Sequence, residues 1–421
     1  MHRVAASLGL SLALLACGAP PPPLPDPPRV EALRARITKA RNAIAETRVA
    51  LTRNRGTPQE VELWVRLAEL IGEEARYHYQ VAKVREGDAK ALHVPQVRVL
   101  KGQAIGLYTR VVREWPASPQ VPRALFNLGQ EQRELGDYPA MRAALQTLVD
   151  EHPAHPLAAE ALIVLGDDHF DRSDMAAAGA AYTRITQGPA SRTVGLAFYK
   201  LGWVRVNQGD CPAALEAFEQ AIDRTQALAG QPVEGATIDV RREALVDLVY
   251  CFSRQRPPEQ AVPFLRAKAY SRDAYVAALE RMADRFGVMD QALGALGVAR
   301  ELLDKGPDDE QRLDDARLLH GAVRKTERYG QVGADAERIT AVVLRRLRRP
   351  GVPEELRARL SAEFEALVRD LATRAQEALF KGNPQGKVAR AQALPVARAY
   401  LAHLDAFPEA ASRLAVMQNL A

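Results

Sequence analysis

The sequence predicts an all-α chain built as an α-solenoid of stacked helical hairpins, and three observations predict it. Of 421 residues, 47% are hydrophobic but only 6% aromatic, and alanine and leucine dominate, which favours close-packed helices over a β-sandwich. Leu128-Gly129, Leu165-Gly166 and Leu201-Gly202 recur at spacings of 37 and 36 residues, the period of helical repeats. Around each glycine, an apolar helix-period stretch runs to a Gly/Asp break and a second such stretch follows. The rest of the composition narrows the class. Lys and Arg number 57 against 52 Asp and Glu, a net +5 with interspersed signs, which is a solvated surface and not a nucleic-acid footprint. A charged fraction of 26% excludes a multi-span membrane protein and wholesale disorder. Three cysteines exclude a disulfide-dense scaffold.

The amino terminus reads as an address. Residues 1–16 hold Arg3 and then an apolar stretch from Val4 to Leu15, too short to span a bilayer and laid out as a signal peptide. Leu14-Leu15-Ala16-Cys17-Gly18 resembles a bacterial lipobox. That resemblance implies cleavage before Cys17 and lipidation of its thiol and new amine. Gly18 in place of aspartate implies the outer membrane. Several acyl chains on one residue anchor stably where a single chain binds reversibly. Residues 17–29 continue with Pro20 to Pro23, Pro25, Pro27 and Pro28, a stiff polyproline tether of about 3.1 Å per residue.

Residues 30–87 read as a helical hairpin. Val30, Leu33, Ile37, Ala40, Ile44 and Leu51, with Thr47, form a heptad seam flanked by charge. Either this helix packs back on residues 58–86, or it pairs between chains and makes a homo-oligomer through residues 30–54. Arg53-Asn54-Arg55-Gly56-Thr57-Pro58 reads as a short turn between two helices and favours the hairpin.

Residues 88–307 carry the repeat. Ala104, Met141, Ala178, Ala214, Ala261 and Ala295 hold one position in successive second helices, separated by 37, 37, 36, 47 and 34 residues, with an insertion near Ala227–Gly235. Val249 stands where glycine or alanine is expected, and Met141 is bulky. Together with the Trp64-Leu67-Ala68 opening, this pattern resembles the tetratricopeptide repeat. The resemblance implies a right-handed superhelix of about six units. Residues 308–421 stay helical with a degenerate repeat at Tyr400, Phe407 and Pro408. With the lipobox, the chain resembles periplasmic repeat lipoproteins of Gram-negative, deltaproteobacterial-like bacteria. Two groups stand out: the lipoprotein of the outer-membrane β-barrel assembly machine and the Tol-associated cell-division coordinator.

Chemistry is sparse in the pattern. On a helix, Asp167 and Asp171 share a face while Asp168 and His169 point elsewhere, so no metal set forms there. His152 and His155 lack a third ligand. Gly382 to Lys387 falls one residue short of a phosphate loop and precedes no strand. No HExxH, GxSxG or CxxC occurs. The chain therefore reads as a non-enzyme with neither metal nor cofactor. Arg345, Arg346, Arg348 and Arg349 either meet an anionic surface or close a helix at its negative end. Cys211 and Cys251 either pair in an oxidising periplasm or sit as small buried hydrophobes.

The repeat resemblance implies a concave partner-binding groove lined by the first helix of each hairpin. Carried over, its residues are Phe126, Gln130, Arg133, Ile163, Asp167, Phe170, Tyr199, Trp203 and Val206. Aromatics and arginine are hot-spot residues, so the groove is expected to hold a protein partner, unless packing covers it. The expected function is a lipid-anchored scaffold in an envelope assembly. The alternative is an oligomeric spacer, or a division or motility component, without a groove.

Overall fold

The computed structural model describes residues 28–87, 94–189, 191–229, 238–308, 310–383, 385 and 387–420. The expected signal peptide, Cys17 and the expected proline tether up to Pro27 lie outside the described residues. Among the described residues there is no strand, and the fold is an all-α helical repeat. No described helix is long and apolar enough to cross a membrane. Two compact units divide the chain, residues 1–147 and 148–421.

In the first unit, α1 (Pro28–Arg53), α2 (Gln59–Glu86), α3 (Pro95–Glu114) and α4 (Val121–Glu134) lead into α5 (Tyr138–Glu151). Val30, Leu33, Ile37, Ala40, Ile44 and Leu51 are all buried, because α1 folds back along α2. The pairing is antiparallel: Arg41 meets Glu74 at 2.6 Å, and the Arg36 guanidinium lies over the Tyr77 ring. The heptad seam is thus spent within the chain, and an interchain coiled coil would have to expel α2 first. Lys101 is buried on α3 and satisfied by carboxylates of α4, with Glu131 at 2.5 Å and Glu134 beside it. A buried ammonium is tolerable only when paired in this way.

The second unit stacks hairpins. Pairs are α6 (Pro156–Asp171) with α7 (Met175–Gln187), and α8 (Val194–Asn207) with α9 (Cys211–Leu228). Next, α10 (Arg241–Asp247) and α11 (Val249–Gln255) precede α12 (Ala261–Lys268), followed by α13 (Arg272–Val288) with α14 (Ala292–Lys305). Then α15 (Gln311–Thr326) precedes α16 (Val332–Leu347), α17 (Glu354–Gly382) pairs with α18 (Arg390–Ala406), and α19 (Arg413–Leu420) packs on α18.

The repeated glycines permit the close approach inside each hairpin. A Cβ at Gly166 would lie 2.4 Å from the Tyr182 ring, and one at Gly202 would lie 2.6 Å from Phe218. In the first unit, Gly129 meets Leu145 in the same way, at 2.6 Å. The repeat position held by Ala104, Met141, Ala178, Ala214, Ala261 and Ala295 is buried in all six cases.

The Gly/Asp break is a recurring backbone device. Asp137, Asp174, Asp210 and Gln291 each donate their amide to a carbonyl five residues back, on Gln132, His169, Arg205 and Phe286. The preceding residues Gly136, Ser173, Gly209 and Asp290 take positive φ, the Schellman ending of a helix. The three aspartates then cap the next helix, their carboxylates accepting from Ala140, Ala177 and Ala213 at 3.1 Å. The hairpin of residues 241–268 departs from this plan. Pro257 has no amide to donate, a 3₁₀ turn at Pro258–Gln260 replaces the first turn of α12, and the first helix is interrupted ahead of the buried Val249. Cys211 and Cys251 are joined there in a disulfide, with Cα atoms 5.0 Å apart, which ties α9 to α11.

Candidate functional site

The nine groove residues fall on three first helices. In the first unit, Phe126 and Gln130 are half-buried on α4 and Arg133 is exposed. In the second, Ile163, Asp167 and Phe170 are half-buried on α6, as are Tyr199, Trp203 and Val206 on α8. Several of these side chains are committed to the fold. Asp167 accepts the Tyr182 hydroxyl at 2.6 Å and faces Lys200 at 2.9 Å. The Tyr199 hydroxyl donates to Asp247 at 2.7 Å, and the Trp203 indole donates to the same oxygen at 3.1 Å. Both rings pack on Phe218, with centroids 5.9 and 6.0 Å away. Burial and then the hydrogen bond to Asp247 push the Tyr199 phenol up to about 12. These two aromatics fasten α8 to α10, so they are interlocks between hairpins as well as groove residues. The missing signal was Asp247, more than forty residues away and unremarkable by itself.

An open cleft of about 510 Å³ lies elsewhere, wholly in the first unit. Both α1 and α3 pack on α2 or its turn, and the space between them is floored by Trp64, Leu67 and Ile71 of α2. Leu51 and Arg48 line it from α1, Arg55 from the turn, and Gln103, Gly106 and Leu107 from α3. An adjoining hollow of about 270 Å³ shares Arg48, Ile71 and Gln103 and extends to Arg41, Ile44, Glu74 and Leu100. Trp64 is half-buried and held from two sides. Its indole donates to Glu60 at 3.3 Å, and the Arg110 guanidinium lies 4.3 Å above its ring centroid. Glu60 is held below the ordinary carboxylate range by the Gly56 amide and then the Trp64 indole, so it stays ionised and keeps the indole in place. In the sequence, Trp64 stands only as the opening of a repeat. Its signal was the helix-period Trp64-Leu67-Ile71 face, whose exposure depends on how far apart α1 and α3 stand.

The remaining chemical groups are wired structurally. Among the described residues, no group of three or more His, Cys, Asp or Glu side chains could hold a metal ion. His169 faces Arg172 and Asp174, and His155 caps α6 by accepting from the Leu157 amide. Ser412, His403 and Glu365 have the composition of a catalytic triad but not its order. The hydroxyl and the imidazole Nε2 both bond the same carboxylate oxygen, whereas a triad places the imidazole between the other two. His403 is also fully buried. Burial pushes the Glu365 carboxyl upward, but hydrogen bonds from Ser412, Arg369 and His403 outweigh it and bring it down to about 2. In the arginine cluster, Arg345 and Arg349 pair with Asp308, and Arg346 pairs with Glu310 at 2.5 Å. Three of the four guanidiniums thus clamp the turn before α15.

The tetratricopeptide repeat family model matches residues 102–153, 126–192 and 199–274. No curated protein matches the sequence. Among solved structures, the chain is similar to the C-terminal part of a tetratricopeptide-repeat-containing protein from Cytophaga hutchinsonii. Identity is 12% and the TM-score 0.41, over 68% of this chain and 98% of that one. It is also similar to the Naa15/Naa10 complex bound to HypK-THB, at 13% identity and a TM-score of 0.37, over 90% of this chain and 57% of that one. From the glycine-spaced hairpins and the family match together, residues 102–192 and 199–274 carry tetratricopeptide repeats.

Proposed function

We propose that the chain is a scaffold that holds protein partners in the cell envelope, anchored to the outer membrane through a lipidated Cys17 and facing the periplasm. The observation that carries the partner-binding part is the cleft between α1 and α3. It presents a half-buried tryptophan over an apolar floor, with arginines on the rim. Tryptophan and arginine around a partly enclosed apolar centre is the composition of a binding hot spot. The envelope part rests on the Leu14-to-Gly18 lipobox. The spacer reading requires the α1 seam to meet another chain, and that seam is occupied by α2.

The test is a photo-crosslinking residue at position 103, which is exposed and lines both hollows, in living cells, with and without Cys17→Ala. A discrete envelope protein captured from the wild-type chain, and lost with Cys17→Ala, is the expected result. Self-crosslinks alone would favour the spacer. Capture of the same protein after Cys17→Ala would detach binding from the lipid anchor.

A further inference from the structure

The charge of this chain is concentrated on one helix. Residues 28–55 hold eight basic residues, Arg29, Arg34, Arg36, Lys39, Arg41, Arg48, Arg53 and Arg55, against two acidic ones, Glu31 and Glu46. That +6 exceeds the +5 of the entire protein, so the rest of the chain is slightly acidic. Four of these arginines, Arg34, Arg41, Arg48 and Arg55, recur every seventh residue. On a helix this spacing sets Arg34, Arg41 and Arg48 in one row beside the buried seam, and Arg55 continues the sequence into the turn. The last three of the four line the cleft and its extension.

Within that row, Arg41 is neutralised by Glu74. Among the described residues, Arg48 and Arg55 make no ion pair, and Arg55 touches Glu60 only through its field. The opposite wall is low. Gly106 on α3 would place a Cβ in open space, with nothing within 4 Å. The floor is apolar and partly enclosed, with Leu51 and Ile71 buried and Trp64 and Leu107 half-buried.

We infer that this cleft receives an acidic amphipathic helix of a partner protein, with apolar side chains on the Trp64–Leu107 floor and carboxylates along Arg48 and Arg55. The inference rests on the scaffold reading and gives it a partner chemistry. Arg48 lies near the end of α1 and Arg55 in the turn after it, one heptad on, so a helix lying alongside meets them with acids about two helical turns apart. Apolar anchors at i, i+3 or i+4 and i+7 then face the floor, the helix-in-groove mode of recognition. A nucleic acid would meet the arginines but leave the apolar floor unused, and a flat membrane does not enter a cleft between two helices.

The test pans a displayed library of random 14-residue peptides on the detergent-solubilised full chain, with counter-selection on Leu107→Asp. Enriched peptides are expected to carry the apolar spacing and a net negative charge. The top peptide, fluorescein-labelled, should lose at least about tenfold in affinity on the R48E/R55E double variant. A Glu→Lys version of that peptide should recover it there, since matched charges set specificity. Both arginines are exposed, and circular dichroism of the variant checks that the hairpin still forms. Enrichment of basic, uncharged or proline-rich peptides, no enrichment, or affinity unmoved by R48E/R55E each overturns the inference. Crosslinking from position 103 separates the two levels. If it still captures a partner while the peptides fail, only the acidic helix is lost; if both fail, the scaffold reading falls as well.

Discussion

Within the second unit, residues 156–228 and residues 261–347 are both ladders of helical hairpins, yet their tightest links differ. In the first stretch the close approach lies inside each hairpin, where Gly166 and Gly202 admit the rings of Tyr182 and Phe218. In the second stretch the strong links run between hairpins, from one second helix to the next. Arg266 of α12 meets Glu301 of α14 at 2.8 Å, and Arg300 of α14 grips Asp335 of α16 with two bonds of 2.8 and 2.7 Å. Arg338 of α16 returns to Asp304 of α14 at 2.9 Å. The partners are 34 or 35 residues apart, one repeat. The glycine has changed sides as well: Gly294 sits on the second helix and meets Phe286 of the first. The family match ends at residue 274, just past Arg266, the first residue of these links, while the hairpins continue. A repeat signature therefore records how helices touch, and hairpin stacking can outlive it.

The sharpest way to break this comparison is at Asp335, which is fully buried between Arg300 and Arg338. Asp335→Ala leaves two guanidiniums facing an empty acceptor site, and removal of one partner of a buried pair costs about 3 kcal/mol or more. The measurement is hydrogen exchange of α14 and α16, which should accelerate while α6 to α9 stay protected, because repeat stability is summed over neighbouring interfaces. An Arg300→Met/Asp335→Leu pair should recover most of the loss. Unchanged exchange in Asp335→Ala would mean that the bridges decorate this stretch without holding it.

A somewhat smaller effect is expected at Gly202. The added methyl of Gly202→Ala must displace the Phe218 ring, and overpacking of this kind costs about 2 kcal/mol. Phe218→Leu in the same chain should restore part of it. Trp203 lies against Phe218 and, with Trp64 and Trp115 both in the first unit, reports the second unit's packing by its emission. If Gly202→Ala is silent, close approach is not what the glycine spacing secures.

Acid separates the two kinds of linkage without any substitution. Glu365 has its carboxyl brought down to about 2, from an ordinary value of 4.5. Its contribution is fully present above the unfolded value and is lost as pH falls through the folded one. Between about pH 4.5 and 2, the contacts of Glu365 with His403, Arg369 and Ser412 should loosen first. The Gly202–Phe218 contact has no titrating group at its point of closest approach and should hold longer. Hydrogen exchange at stepped pH reads the order, and simultaneous loss of both regions contradicts it.

How much of this was legible in the sequence follows from the same physics. The hairpins were legible because Leu128-Gly129, Leu165-Gly166 and Leu201-Gly202 encode a local approach whose partner lies within about sixteen residues along the chain. The turn aspartates were legible as breaks for the same reason. Arg300 and Asp335 carry no such mark, since a charged residue on a helix reads as solvated surface until its partner one repeat away is placed beside it. The same holds for the candidate sites. Tyr199 and Trp203 stood out as surplus aromatics, but the acceptor that claims them, Asp247, was hidden by distance in sequence. Trp64 was visible and its cleft was not, because a cleft is a property of three helices and the Arg41–Arg48–Arg55 row gains meaning only along its edge.

The smallest prediction bears on whether the α8 aromatics serve the fold, a partner or both. Tyr199→Phe keeps the ring on Phe218 and removes only the hydroxyl that donates to Asp247. Asp247 retains the Trp203 indole, so the expected cost is that of one hydrogen bond, about 1 kcal/mol, read from the denaturant midpoint of Trp203 emission. An interlock predicts this loss together with unchanged partner capture from position 103, because that position belongs to the first unit and its cleft contains neither residue. A groove contact predicts the reverse, unchanged stability and weakened capture at a crosslinker on α8 itself. The interlock outcome leaves six of the nine groove residues, Phe126, Gln130, Arg133, Ile163, Phe170 and Val206, without a side-chain hydrogen bond or ion pair among the described residues. It also shifts the search for a partner toward the amino-terminal helices, where the net positive charge of the chain resides.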